Sequence, residues 1–349
     1  CKKEAKRVVL IILPALRSGG TEWQVLSLIR EMVSRINVVL WVYDSKNNES
    51  DLRSEFEKIE GLSFVYGKSL KSLLKARLFG PKVIVSYAIN YYIPEIILAL
   101  ITRAFLVTER RNLYQWIKDQ KPKKLQEFIR NRLTNAVVCN SESVKNVAQE
   151  MEWGITRKIQ VIHNSVDLPE LDRFLGVRPN ICSVGNIKAG KGVEDVVRCY
   201  GELKKQSNGL ASFSIYGRLD DRSILSNIPL QLFEEVYKGV GAKCSMYRFG
   251  DVLVHLSESE GFPNSVLEAM ASGMSLVLSD IAVHRELFGK HAFFVSGPSE
   301  GAEVLSKLIV LRKDNRAEYL SICERNRAFA EKFSIKTKAD QYMCFLNRG

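Results

Sequence analysis

The stretch that most restricts the fold lies at residues 252–273. Val252-Leu253-Val254-His255-Leu256 has the pattern of a strand. Glu260-Gly261-Phe262-Pro263 makes a sharp turn, and Asn264-Ser265 offers two capping residues. Val266 to Ala271 then begins a helix that closes on Ser272-Gly273. A strand, a turn and a helix start make an anion site, because the first helical turn carries unpaired N–H groups and the positive end of the dipole. Two carboxylates frame it, Glu260 in the turn and Glu268 in the helix. Carboxylates accept hydrogen bonds from sugar and ribose hydroxyls, and the amides between them suit a diphosphate. The same residues admit a plainer reading. Ser265-Val266-Leu267-Glu268 also fits a capping box, whose glutamate satisfies a helix amide and binds no ligand.

The strand, loop and helix pattern recurs along the chain. Residues 8–13, 37–42, 62–66, 82–86, 105–108, 136–140 and 159–162 read as strands of the first half. Those of the second half are 181–184, 211–216, 251–256, 276–279 and 291–295, while 231–247 shows no regular pattern. Apolar strand runs separated by helical patterns predict parallel sheets covered on both faces. Each half is therefore expected to be a Rossmann-like, doubly wound α/β domain with ligands at the strand ends. Two glycine loops repeat the central unit in miniature. Gly19-Gly20-Thr21 precedes a helical pattern at 23–32, and Gly185-Asn186-Ile187-Lys188-Ala189-Gly190-Lys191-Gly192 precedes one at 193–204. A glycine pair is common in tight turns, and a lone loop lysine is commonly just solvated.

The fifteen residues SEGFPNSVLEAMASG closely resemble the Glu-x7-Glu signature of retaining glycosyltransferases of family four, which have the GT-B fold. Glu260 and Glu268 occupy its two glutamate positions. The resemblance extends to 185–192, similar to the family's Gly-Arg-Leu-x-x-Glu-Lys-Gly, and to 163–167, similar to its interdomain Asn-Gly-Val-Asp turn. It implies two Rossmann-like domains facing a cleft: an acceptor domain at 1–170, a nucleotide-sugar domain at 171–333, and a helix at 334–349 that crosses back to the first. It implies donor binding by Gly19, Gly20, Asn186, Lys191, Gly217, Glu260, Gly261, Phe262, Pro263, Asn264, Ser265, Val266, Leu267 and Glu268. Glu260 would hold the sugar, Glu268 the ribose, and Lys191 the diphosphate, with no metal and no cofactor beyond the donor. UDP-sugars are the favoured donors. Asn186 stands where the family has an arginine, and Lys188 or Arg218 could supply that charge. The family's first-domain histidine has no counterpart before His163, so Arg110 and Asn112 are the candidates to replace it.

Charge bears on the partners. The net charge is +12, and residues 1–170 carry +9 of it, from 27 basic and 18 acidic residues. An acidic partner is thus expected at the first half. Leu70, Leu73, Leu74 and Leu78 are interleaved with Lys68, Lys71, Lys75 and Arg77, and a second basic, aromatic-rich run spans 110–132. Such stretches suit an anionic membrane surface, although a core-packed helix with a solvated basic face reads the same way. Nucleic acid is not expected as a partner. The apolar run at 93–107 is interrupted by Glu95 and Arg103 and is too short to cross a bilayer. The expected function is transfer of a sugar to a lipid-linked or growing glycan, in bacterial surface polysaccharide assembly such as capsule or lipopolysaccharide. It would take place in the cytoplasm, peripherally at the inner face of the plasma membrane. The alternatives are a non-catalytic GT-B regulatory or binding subunit, and a sugar-nucleotide epimerase.

Overall fold

The computed structural model describes residues 7–17, 19–44, 48–88, 93–113, 121–155, 159–169, 176–207, 210–241, 247 and 250–347. They form two compact units, one of Cys1–Ser165 with Ile335–Gly349, the other of Val166–Ser334.

The first unit runs β1 (Val8–Leu13), α1 (Gly20–Met32), β2 (Asn37–Val42), α2 (Ser50–Glu57), β3 (Leu62–Tyr66), α3 (Leu70–Leu78) and β4 (Val83–Ser86). It continues with α4 (Ile93–Thr102), β5 (Phe105–Arg110), α5 (Lys121–Leu133), β6 (Ala136–Cys139), α6 (Glu142–Met151) and β7 (Ile159–Val161). All seven strands are parallel, in the order β3-β2-β1-β4-β5-β6-β7. The continuous apolar runs follow from burial on both faces. Val9, Ile11 and Leu13 of β1 enter a core with α1 and α2, whereas Leu10 and Ile12 enter another with α3 and α4. Ser141 caps α6 by accepting from the Val144 amide.

The second unit contains β8 (Asn180–Val184), α7 (Val193–Ser207), β9 (Ser212–Tyr216), α8 (Leu230–Val236), β10 (Tyr237–Gly239) and β11 (Val252–His255). Then come α9 (Asn264–Ala271), β12 (Ser275–Ser279), α10 (Ala282–Phe288), β13 (Phe293–Val295), α11 (Pro298–Asp314) and α12 (Arg316–Ala330). Its sheet is also parallel, in the order β10-β9-β8-β11-β12-β13. Strand order reverses between β1 and β4 in the first unit and between β8 and β11 in the second. Such switch points, at the carboxyl ends of the strands, are where doubly wound sheets bind ligands.

The structure changes one reading outright. Of residues 231–247, expected to be irregular, 231–239 lie in α8 and the edge strand β10, whose Tyr237 ring stacks on Phe233, and 242–246 lie outside the described residues. After Ser334 the chain returns to the first unit as α13 (Ile335–Met343). Its Ala339 and Tyr342 are buried in the α1 core, with Phe345 and Leu346 just beyond it.

Candidate functional site

The loops that follow β8 and β11 meet at the switch point of the second unit. Gly192, at φ +64, lies so close to the chain leaving β11 that a Cβ there would fall 1.8 Å from the Leu256 carbonyl oxygen. The Ser257 hydroxyl and the Glu258 amide both donate to the Gly190 carbonyl, at 3.0 and 3.1 Å. This stitching brings Lys191 to Glu260. The lysine Nζ donates to Glu260 Oε1 at 2.7 Å, and His255 Nε2, at the end of β11, donates to the same oxygen at 3.1 Å. Among the described residues Glu260 Oε2 has no hydrogen-bond partner. Burial alone would raise the Glu260 carboxyl, but the His255 hydrogen bond and the His255 and Lys191 charges outweigh it and hold it well below the usual carboxylate range. Glu260 is therefore a fixed anion with one free face.

Behind it lies a second histidine. His284 is fully buried, its ring 5.6 Å from that of His255. Its Nδ1 donates to the Ser279 carbonyl at 2.9 Å. Burial brings its pKa down to about 4, so it is neutral near pH 7.

Ser265 is not the N-cap that a capping box with Glu268 requires. The helix α9 begins at Asn264 with Pro263 in the capping position and no side-chain cap, so Ser265 is already inside it. The Glu268 carboxylate instead accepts from the Tyr247 hydroxyl at 2.9 Å. The Val266 and Leu267 amides, expected to face a diphosphate, both donate to the Pro263 carbonyl, at 3.1 and 3.2 Å. Phe262 is a core residue, edge-on to Phe333, and with Pro263 it sets the turn that lifts Glu260. Gly261, Asn264 and Ser265 lie half-buried between the two carboxylates.

The loop after β9 completes the rim. Gly217 is needed because a Cβ there would stand 1.8 Å from the Gly185 carbonyl oxygen. The contact brings Arg218 beside Asn186: Asp220 accepts from Asn186 Nδ2 at 2.8 Å and from Arg218 Nε at 2.5 Å. A guanidinium thus stands next to the position where the sequence lacks one.

The first unit holds the remaining candidates. Gly19 and Gly20 open α1 at the end of β1, and a Cβ on Gly19 would lie 2.6 Å from Glu22 Oε2. Arg110 is interior. Its guanidinium makes a paired contact with Glu152, at 2.7 and 2.9 Å, and donates to Asn131 and Glu127. It is 1% exposed and organises a buried network, which corrects its expected place at a reaction centre. Asn112 is exposed beyond β5. The strand period of two sends Arg111 the other way from Arg110. Arg111 donates to Asn164 at 2.9 Å and lies over the Tyr87 ring at 4.9 Å.

Sequence reasoning missed His255 and Tyr247. A histidine ending an otherwise apolar strand was the available signal for the first. Tyr247 sits in a stretch without periodicity and gave none.

Two family profiles match the chain. One, described as Glycosyltransferase Family 4, covers residues 18–170, and the other, Glycosyl transferases group 1, covers residues 178–313. The chain belongs to the group 1, family 4 glycosyltransferases. An uncharacterized glycosyltransferase of Methanocaldococcus jannaschii is 27% identical over 195 residues, which is 50% of this chain and 49% of that protein. The chain thus matches about half the length of that curated relative. Among solved structures, HepE of Anabaena in complex with UDP superposes with a TM-score of 0.79 at 14% identity, over 98% of this chain and all of that one. A glycosyltransferase of Rickettsia africae superposes with a TM-score of 0.79 at 16% identity, over 99% of both chains. The lipopolysaccharide outer core galactosyltransferase WaaB does so at 0.66 and 15%, over 98% of this chain and 99% of its own. The fold of this family 4 chain is accordingly GT-B, built of two Rossmann-like units.

Proposed function

We propose that this chain is a retaining glycosyltransferase that moves a sugar from a UDP-sugar to an acceptor hydroxyl. One observation carries the reading: Lys191 meets Glu260 at the switch point of the second unit, beside His255, and Glu268 follows on α9, where the Tyr247 hydroxyl donates to it. Glu260 Oε2 would accept from sugar hydroxyls and Glu268 from the ribose. Lys191 would leave Glu260 for the diphosphate, a charge-assisted contact worth roughly 1.5–3 kcal/mol. Arg218 would supply the charge that Asn186 does not.

In this reaction the bond from the anomeric carbon to the phosphate oxygen breaks as the bond to the acceptor oxygen forms on the same face. The departing diphosphate takes the acceptor's proton. The side chains position the donor and balance charge on the leaving group without a metal. UDP is favoured because HepE, alike in fold over its whole length, binds it. The acceptor would be a lipid-linked or growing glycan of surface polysaccharide assembly, met at the inner face of the plasma membrane. The likeness in fold to WaaB supports that class.

Thermal melting with UDP, GDP and ADP tests the donor site, since a ligand that binds the folded state raises stability by mass action. UDP is expected to raise the melting temperature of the wild type and not of Glu268→Ala. UDP-sugars should then be turned over when an acceptor is added. Binding without turnover on any acceptor would instead mark a non-catalytic subunit.

A further inference from the structure

Three helices of the first unit turn their apolar residues outward. In α3 the exposed apolar side chains are Leu70, Leu74 and Leu78, whereas Ser72 and Ala76 are buried. In α4, Ile93, Ile97, Leu100 and Ile101 are exposed. In α5 the pattern is inverted: Leu125, Ile129 and Leu133 face out while Glu127, Arg130 and Asn131 are buried. Exposure of these ten residues runs from 41% at Ile97 to 87% at Leu78. Each set recurs at i, i+4 and i+7 or i+8, so each forms one continuous stripe. Ten of the nineteen large apolar side chains exposed among the described residues lie here.

The stripes are neighbours. The chain crosses one face of the sheet from β3 through β6 by way of α3, α4 and α5. Arg130 of α5 reaches Glu95 of α4 at 3.0 Å, which ties those two helices together. The ion network beneath α5 is what lets its polar side face inward. Arg110 and Arg130 pair there with Glu152, Glu127 and Glu95.

Charge selects the occupant. Lys68, Lys71, Lys75 and Arg77 flank the α3 stripe, Arg103 follows α4, and Lys124 and Arg132 lie on α5. The only acids in α3, α4 and α5 are Glu95 and Glu127, and both are buried. A second copy of this chain would set like charges against like. Apolar stripes rimmed by cations match the headgroup and acyl boundary of an anionic bilayer. No helix among the described residues is long and apolar enough to cross a membrane, so the contact would lie in the interface plane.

We infer that the outward face of α3, α4 and α5 docks this chain on an anionic lipid bilayer. The leucine and isoleucine stripes enter the interface, and the lysines and arginines hold lipid phosphates at its rim. The inference deepens the lipid-linked acceptor reading above. Its test stands apart from that reading, because vesicle binding needs neither donor nor acceptor.

Flotation with vesicles of phosphatidylglycerol and phosphatidylcholine, beside vesicles of phosphatidylcholine alone, is the experiment. Wild type is expected to float with the anionic vesicles far more than with the neutral ones. Leu74→Glu with Leu78→Glu, and separately Ile97→Glu with Leu100→Glu, should each lower partition about tenfold or more. Both substitutions lie on the surface of the first unit, so the melting temperature and the UDP-induced shift should stay at their wild-type values. Lys71→Ala, Lys75→Ala and Arg77→Ala together should weaken binding to anionic vesicles alone, and added salt should mimic them. Equal flotation of wild type with neutral and anionic vesicles would overturn the inference. So would glutamate variants that float as wild type does, or a wild-type dimer in solution that those variants split into monomers.

Discussion

His284 is held neutral by burial, with its pKa brought down to about 4. In the unfolded chain it would titrate near 6.5. Between these values the unfolded state binds a proton that the folded state refuses, so stability falls as pH drops from about 6.5 toward 4. The loss attributable to this residue is on the order of 3 kcal/mol. His284→Asn keeps a donor for the Ser279 carbonyl and cannot titrate. Urea unfolding of both proteins should show the wild-type advantage shrinking from pH 6.5 to 4 and constant above 7. An advantage independent of pH would contradict the assignment. Single residues were legible in uneven measure. Lys191 and Glu260 were expected in one site, and they meet because short loops of restrictive geometry carry them. Arg110 was misread because a basic residue at a strand end looks the same whether it faces solvent or an interior glutamate. Glu152, its main partner, lies 42 residues away.

At the scale of elements, the parallel strands were legible because burial on both faces leaves them almost wholly apolar. The edge strand β10 pairs on one side only, through Tyr237 and Gly239, and has no such signature. The inward side of α5 could not be read for another reason. Its basic sequence says nothing about which side faces in, because that side is set by ion pairs with residues far off in sequence, Arg110 and Glu95 among them. The loops at the second switch point make a sharper case. Gly192 is required twice, for its left-handed backbone and for its approach to Leu256. Gly192→Ala should lower the melting temperature by about 4–8 °C, corresponding to about 2 kcal/mol. It should also weaken the UDP-induced shift, because relief of the clash moves Lys191 away from Glu260. Gly190→Ala is the comparison. It has φ +77 but nothing within 4 Å of an added Cβ, so it should cost only the backbone strain. Equal effects from the two would mean that the approach to Leu256 is not the controlling contact.

For the whole molecule, the decisive feature is that the first unit is discontinuous in sequence. Its last segment returns after Ser334 and supplies Ala339, Tyr342, Phe345 and Leu346 to the α1 core. It also meets buried polar groups: Lys338 donates to Gln24 Oε1 at 2.8 Å, and the Tyr342 hydroxyl donates to Glu109. Burial pushes the Glu109 carboxyl up and the Lys338 ammonium down; each favours the other's charge, while Arg111 nearby favours the Glu109 carboxylate and opposes the Lys338 ammonium. Removing residues 335–349 would expose two aromatic contacts and a leucine, about 5 kcal/mol or more of lost burial. That is comparable with the whole stability of a typical domain. The second unit keeps its own cores in the truncated chain, together with Lys191, Glu260 and Glu268. Limited proteolysis of the truncated protein should therefore degrade the first unit and leave a protected fragment close to 166–334. UDP should still raise the melting temperature of that fragment. If residues 7–165 resisted protease as well without the last segment as with it, the closing helix would be an appendage rather than part of the first core. Loss of both units together would show that the second unit's stability draws on the first.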